Sequence, residues 1–345
     1  MIGGKQCTIT WHVDDLKISH VESKVIDEVV KKLESRYGKL SVTKGRKLTY
    51  VGMDLLFCPD YSVEVSMKTY LIEAIEEFEA FNEKIDSSKP TPAAVYLFNV
   101  DEDSPLLSEK KAKGFHKIVA KLLFVCCRGR PDINVTISFL TTRVSKSNDG
   151  DWKKLKRMLQ YVYGTLDLVL KLSGLNTTII KWWIDASYGV HDNMRSHTGT
   201  TMSLGRGSIY SRSVKQKLNT KSSTEAELVG ASDGASQILW TSYFLQDQGA
   251  DVKESRLHQD NQSAELLQKN GRMSSSQRTR HINIRFFFIK DRIDKKEISI
   301  VHCPTEYMVA DYFTKPLQGA KFIEFRDIIM GHKLNEYPTQ ERVIT

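Results

Sequence analysis

The sequence predicts an α/β architecture. A carboxy-terminal domain of mixed strands and helices over residues 171–334 follows an α+β unit over 1–70 and a mostly helical stretch over 71–170, with a tail at 335–345. Three observations predict it. Apolar and polar residues alternate on both sides of Asp14-Asp15, the middle of the chain carries apolar residues at three- and four-residue spacing, and from Leu168 onward strand-like and helix-like segments interleave.

Taken in order, residues 6–20 read as two strands joined by a tight turn with Asp14 and Asp15 at its tip. Val25, Ile26, Val29, Val30 and Leu33 mark a helix over 25–37, and residues 47–57 and 61–67 read as a strand pair about Cys58-Pro59-Asp60. An acidic amphipathic helix over 70–81 precedes the Ser/Pro-rich connector 87–92, and helical periodicity returns over 115–124, 133–144 and 151–163. A strand at 168–172 and the turn Ser173-Gly174 open the last domain. There we expect a strand ending at Asp185, a hairpin from 198–204 and 208–214 about Gly205-Arg206-Gly207, and a long helix from about Thr224 to Gln246 with Leu228, Ala231, Ala235, Ile238 and Leu239 on one face. A strand before Asp260, a short helix, a basic helix near 279–293, a strand at 297–302 and a segment bearing Asp311 complete the order. Of Trp182 and Trp183, alternation sends one to the core and one outward.

The chain of 345 residues is long enough for two or three cores. A net charge of +8 points to a polyanionic partner, nucleic acid first. Five scattered cysteines without a CxxC pair fit reduced thiols and an intracellular setting, against a disulfide framework or a zinc site. The most apolar stretch, 118–127, is interrupted by Lys121 and too short to span a bilayer, and the first five residues do not read as a signal peptide, so no membrane role is expected.

Four carboxylates, Asp185, Glu225, Asp260 and Asp311, fall where a strand end or helix start can aim them at one point. Gathered there they would repel one another unless hard cations lay between them. The expectation is a two-Mg²⁺ site, with Mn²⁺ as an alternative, of the kind that cuts phosphodiesters. Taken singly, Asp185 reads as a solvated strand end and Asp260 or Asp311 as a helix cap. Glu225 competes with Glu227: an N-cap at Thr224 puts Glu227 at the third helical position, where a capping box would employ it and leave Glu225 for metal.

At these residues the chain resembles the end of the polymerase polyprotein of Ty1/copia-type LTR retrotransposons, over about residues 5–330. His12-Val13-Asp14-Asp15 is similar to that family's Tyr-x-Asp-Asp turn, and Tyr50-Val51-Gly52-Met53 to its Tyr-Leu-Gly-Met. Arg130-Pro131-Asp132 and Tyr161-Val162-Tyr163-Gly164-Thr165 match its connecting region. Trp183-Ile184-Asp185-Ala186-Ser187, Ser222-Ser223-Thr224-Glu225-Ala226-Glu227, Asp260-Asn261-Gln262-Ser263-Ala264, Arg280-His281-Ile282 and Ala310-Asp311-Tyr312-Phe313-Thr314-Lys315-Pro316-Leu317 resemble its ribonuclease H motifs in order.

The resemblance implies a ribonuclease H-like domain with a mixed five-stranded sheet and flanking helices, behind the end of a reverse transcriptase palm and a helical thumb or connection. It implies Mg²⁺-dependent cleavage of the RNA strand of RNA–DNA hybrids, with Asp185 bridging two ions, Glu225 and Asp260 on one side and Asp311 on the other. The setting would be the cytoplasm, a virus-like particle or the nucleus. The duplex would be gripped through phosphates by basic runs that include Arg212, Lys215, Lys217, Arg280 and His281, while Ser222, Ser223, Asn261 and Gln262 sense 2′-hydroxyls. His281 matches a family motif but reads as a phosphate contact or a core residue ahead of a catalytic one, and His302, nearer in sequence to Asp311, is the candidate for a mobile histidine that assists product release. The departures are His12 in place of tyrosine and a third metal-binding aspartate and template-holding fingers that would lie upstream, so polymerase activity is not expected of this chain alone. Asp14 and Asp15 then read as a polymerase-motif remnant at a structural hairpin tip. The alternatives are a non-catalytic hybrid-binding remnant, or a reverse transcriptase fragment active only with its amino-terminal remainder.

Overall fold

The computed structural model describes residues 1–174, 178–270 and 283–335. β1 (Thr8–His12) and β2 (Asp15–Ser19) pair antiparallel with His12 opposite Asp15, which leaves Asp14 and Asp15 exposed at the tip. α1 (Ser23–Tyr37) follows, and its apolar stripe leaves no residue fully buried. The run from Lys47, expected to be one strand, is two: β3 (Lys47–Tyr50) and β4 (Met53–Phe57) reverse at Val51-Gly52. Both turn residues take left-handed φ, 49° and 75°, the conformation that matches a tight hairpin to the twist of its strands. β5 (Val63–Ser66) then pairs with β4.

The middle is helical: α2 (Lys68–Glu79), α3 (Glu109–Cys126), α4 (Asn134–Thr141) and α5 (Asp149–Tyr163). α5 begins on a capping box in which Asn148 and Asp151 satisfy each other's main-chain N–H groups. The Arg130-Pro131-Asp132 motif is a buried staple. Arg130 makes two 2.8 Å hydrogen bonds to the Asp132 carboxylate and two more to Thr165, and the Tyr161 hydroxyl donates to Asp132 at 2.7 Å. Charges this deep survive only when both are paired and fully hydrogen-bonded, as here.

The remaining strands are β6 (Leu170–Gly174), β7 (Ile179–Ser187), β8 (His197–Ser203), β9 (Gly205–Arg206), β10 (Tyr210–Lys215), β11 (Glu254–Gln259) and β12 (Ser299–His302). The helices among them are α6 (Ser223–Asp247), α7 (Gln262–Asn270), α8 (Asn283–Asp294) and α9 (Gly319–Ile329). One sheet runs β3-β4-β5-β6-β9; the other runs β10-β8-β7-β11-β12, antiparallel through β10, β8 and β7 and parallel through β7, β11 and β12. This second sheet is the mixed five-stranded sheet with flanking helices that the resemblance implies.

α6 covers one face of it, packing Ala231, Ala235 and Ile238 on Ile180, Trp182 and Ile184. The other face is covered as well, so the expectation of one outward tryptophan fails. Trp182 is buried in the core under α6 and Trp183 in the larger core opposite, stacked on His258 at 4.6 Å. That larger core is continuous from Leu71 and Phe115 through Leu159 to Tyr312, Phe322 and Ile329; residue 70 lies inside α2, and residue 170 opens β6, which joins β5. Arg280 and His281 lie outside the described residues. Among the described residues no helix is long and apolar enough to cross a membrane.

Candidate functional site

Parallel pairing sets the site. Trp183 lies opposite His258 in the β7/β11 register, so Asp185 and Asp260, each two residues on, emerge level at the carboxyl ends of adjacent strands. That edge is where open α/β sheets collect their ligands. On the other side Asp185 pairs with Gly199 of β8, and the absent side chain admits the 3₁₀ turn Val309–Phe313 onto the sheet. A Cβ at Gly199 would sit 2.7 Å from the Ala310 carbonyl and 2.8 Å from Phe313 and Thr314. The turn thereby delivers Asp311 beside Asp185, and Ser213 of β10 fixes it by donating 2.7 Å to the Phe313 carbonyl.

The fourth carboxylate is Glu227, and the expectation that Glu225 fills this place is corrected. α6 starts two residues earlier than a Thr224 cap would have it: Ser222 is the N-cap and accepts from the Glu225 N–H at 3.2 Å. Glu225 is then the third helical residue, and its carboxylate turns back to the Lys221 N–H at 2.7 Å. Glu227, 200° further round the helix at 100° per residue, accepts from the Ala186 N–H at 3.0 Å and from Gln259 at 3.4 Å. The signal was present in the sequence: Glu227 lies four residues before Ala231 on the stripe that faces the sheet.

Asp185, Glu227 and Asp260 each offer an oxygen within 4.8 Å of the others, and this is the one such acidic group among the described residues. Burial raises the Glu227 pKa well above the carboxylate range, and the charges of Asp185 and then Asp260 add to it. Asp260 is raised in the same way, by burial and Asp185, and Asp311 is pushed up to about 7 by burial and Asp185. Thr314 donates from its hydroxyl to Asp185, Thr305 donates to Asp260 at 3.3 Å, and Lys315 stands 2.5 Å from Asp311 and 3.6 Å from Asp185. An all-oxygen donor set in which like charges crowd Glu227, Asp260 and Asp311 fits a hard divalent cation, which reverses that repulsion.

The other expected contacts divide. Ser222 caps α6, and Asn261 caps α7 by accepting from the Ala264 N–H at 3.0 Å, so both have structural partners beside the acids; Ser223 and Gln262 are exposed next to them. Arg212 and Lys217 are exposed and Lys215 half-buried, with alternation placing Arg212 and Lys215 on opposite faces of the edge strand β10. His302 stands 3.6 Å from Glu265 of α7. Asp14 and Asp15 line a separate cleft of about 770 Å³ between β2, α1 and the first sheet, away from the acidic group.

No protein-family model matches the chain. It is 29% identical over 273 residues to a retrovirus-related Pol polyprotein from transposon TNT 1-94 of Nicotiana tabacum, covering 78% of this chain and 20% of that one. It is 26% identical over 317 residues to a Pol polyprotein from transposon RE2 of Arabidopsis thaliana, covering 91% and 21%. A transposon Ty5-1 protein of Saccharomyces cerevisiae is 27% identical over 232 residues, covering 67% and 73%. The chain thus spans about a fifth of the tobacco and Arabidopsis polyproteins. Among solved structures it is similar to a foamy viral protease-reverse transcriptase in complex with RNA/DNA hybrid, at 13% identity and a TM-score of 0.47 over 86% of this chain and 36% of that one. An RNase H1 from Halobacterium salinarum matches at 14% identity and a TM-score of 0.26, over 40% and 91%.

Proposed function

The curated homologues of this chain are Pol polyproteins of Ty1/copia-type retrotransposons, matched over most of its length, and from that premise we propose that it carries a nuclease of ribonuclease H type that cleaves the RNA strand of RNA–DNA hybrids with Mg²⁺. The observation that carries the reading is the meeting of Asp185, Glu227 and Asp260, from three separate elements, at the carboxyl edge of the mixed sheet with Asp311 beside them. These four would hold the metal. Bound divalent ions would supply a Lewis acid for the scissile phosphate and a more acidic water. The chain's own contribution is preorganisation: Thr314 fixes the Asp185 carboxylate, the Ala186 N–H fixes Glu227, and both rest on β7, a central strand.

Purified protein given a labelled RNA–DNA hybrid tests this, with Mg²⁺ or EDTA, single-stranded RNA alongside and Asp185→Asn as control. The expected result is cleavage confined to the hybrid's RNA strand and dependent on both metal and Asp185. Binding without cleavage would leave the non-catalytic remnant as the correct description.

A second reading is favoured by the amino-terminal unit. Ile9, Trp11 and Val13 are exposed, and α1 buries no residue fully, which fits a palm fragment that assembles with upstream polymerase residues. Primer extension that appears only when those residues are supplied would support it.

A further inference from the structure

Three of the four acids form one group and the fourth does not. Asp185, Glu227 and Asp260 bring oxygens within 4.8 Å of one another; Asp311 stands outside that group beside Asp185, and the Lys315 ammonium lies against both of those carboxylates. The Lys315 ammonium lies 2.5 Å from Asp311 Oδ1 and 3.6 Å from Asp185 Oδ2. The main chain sets this up: the Lys315 N–H donates to the Asp311 carbonyl at 3.0 Å, so the two side chains leave the same turn on one side. Asp185 and Asp311 are almost fully buried, but the Lys315 side chain is 41% exposed, so its stem has open solvent to swing into.

Resting on the metal reading above, we propose that Lys315 is a tethered cation that holds the Asp185–Asp311 side of the centre until a second divalent ion displaces it. The centre then loads in order, first at Asp185, Glu227 and Asp260 and second at Asp185 and Asp311. The ammonium and a divalent ion seated against both Asp185 and Asp311 would compete for the same space and charge, so the second ion displaces Lys315 whereas an ion held by Asp185, Glu227 and Asp260 need not. In the metal-free chain Lys315 offsets the repulsion between Asp185 and Asp311, and its partial exposure keeps the pair weak enough to be displaced. Lys315 in this account is a positioning residue.

Mn²⁺ titration of the full chain, read by the paramagnetic resonance signal of free Mn²⁺, tests the order without recourse to activity. Wild type is compared with Lys315→Met, Lys315→Gln and Lys221→Met, the last removing an exposed positive charge just before α6 whose ammonium is paired with neither Asp185 nor Asp311. Thermal unfolding confirms that each variant is folded. The expected result is two sites in wild type with the weaker one tightened about tenfold by either Lys315 variant, and changed by less than about twofold in Lys221→Met. Equal second-site affinity in wild type and both Lys315 variants overturns the proposal, as does an equal gain in Lys221→Met. If wild type binds no Mn²⁺ at all, the metal reading itself fails and this proposal with it; a normal first site with an indifferent Lys315 sinks this proposal alone.

Discussion

The Tyr312 hydroxyl donates a 3.0 Å hydrogen bond to the main-chain carbonyl of Asp132, tying the turn that carries Asp311 to the buried Arg130–Asp132 pair in the helical middle of the chain. Tyr312→Phe removes that one bond and is expected to cost about 1 kcal/mol in urea unfolding. Asp132→Ala leaves Arg130 buried and unpaired, and about 3–5 kcal/mol should be lost. Equal small losses in the two variants would mean that the pair bears little of the load.

Glu227 and Glu225 should separate cleanly. Glu227→Gln is expected to lower the hybrid-cleavage rate by on the order of 10²–10³, the scale for loss of a preorganised electrostatic group. Glu225→Gln keeps the capping box and removes only a charge at the start of α6, so it should cost about 0.3–1 kcal/mol of stability and leave the rate within a few-fold. Rates and urea midpoints measured on the same preparations decide between them, and the reverse pattern would restore Glu225 to the site.

Gly199→Ala places a methyl group against the Ala310 carbonyl, which is main chain and cannot turn aside. The 310–314 turn must lift from the sheet and carry Asp311 with it. The expected outcome is a folded protein with cleavage reduced at least as far as in Asp311→Asn, checked by cleavage assay and circular dichroism.

Acid should destabilise the fold through His197 and His191. Burial, with His191 and Lys215 adding to it, lowers the His197 pKa to about 3, and burial with Lys215 lowers His191 to about 4. In the unfolded chain both titrate near 6.5, so below that pH the unfolded state binds more protons. Their contribution is fully present above pH 6.5 and is lost as pH falls toward about 4, by about 1.4 kcal/mol per histidine per pH unit. Melting temperature against pH measures it, and His197→Gln should flatten the slope whatever it does to the starting stability.

Hybrid affinity should fall steeply with salt. Arg212→Ala and Lys217→Ala are each expected to reduce the slope of log K against log salt by about 1 if each side chain meets one phosphate. Filter binding over a salt series provides the test, and unchanged slopes would remove both residues from the interface.

Wherever a single element carries its own pattern, the sequence was readable. The alternation about Asp14-Asp15 became β1 and β2, and the stripe Leu228, Ala231, Ala235 and Ile238 became the buried face of α6. What escaped reading depended on partners. Nothing local says that both faces of the mixed sheet are covered, so Trp183 could not be distinguished from a surface residue. The break at Val51-Gly52 is one left-handed valine and one glycine within a run, 47–57, that otherwise reads as a single strand. Ser222-Ser223-Thr224-Glu225-Ala226-Glu227 permits two capping registers two residues apart, and the choice between them exchanges the roles of its two glutamates.

The unbroken core on the far side of the mixed sheet bears on how such a chain can be divided. A cut between residues 170 and 171 would part β6 from its neighbour and uncover Trp183, Tyr312, Phe313, Phe322 and Phe325, all now buried. The acidic centre therefore shares its core with the helical middle, and a piece that begins at residue 171 is expected to present that apolar face to solvent.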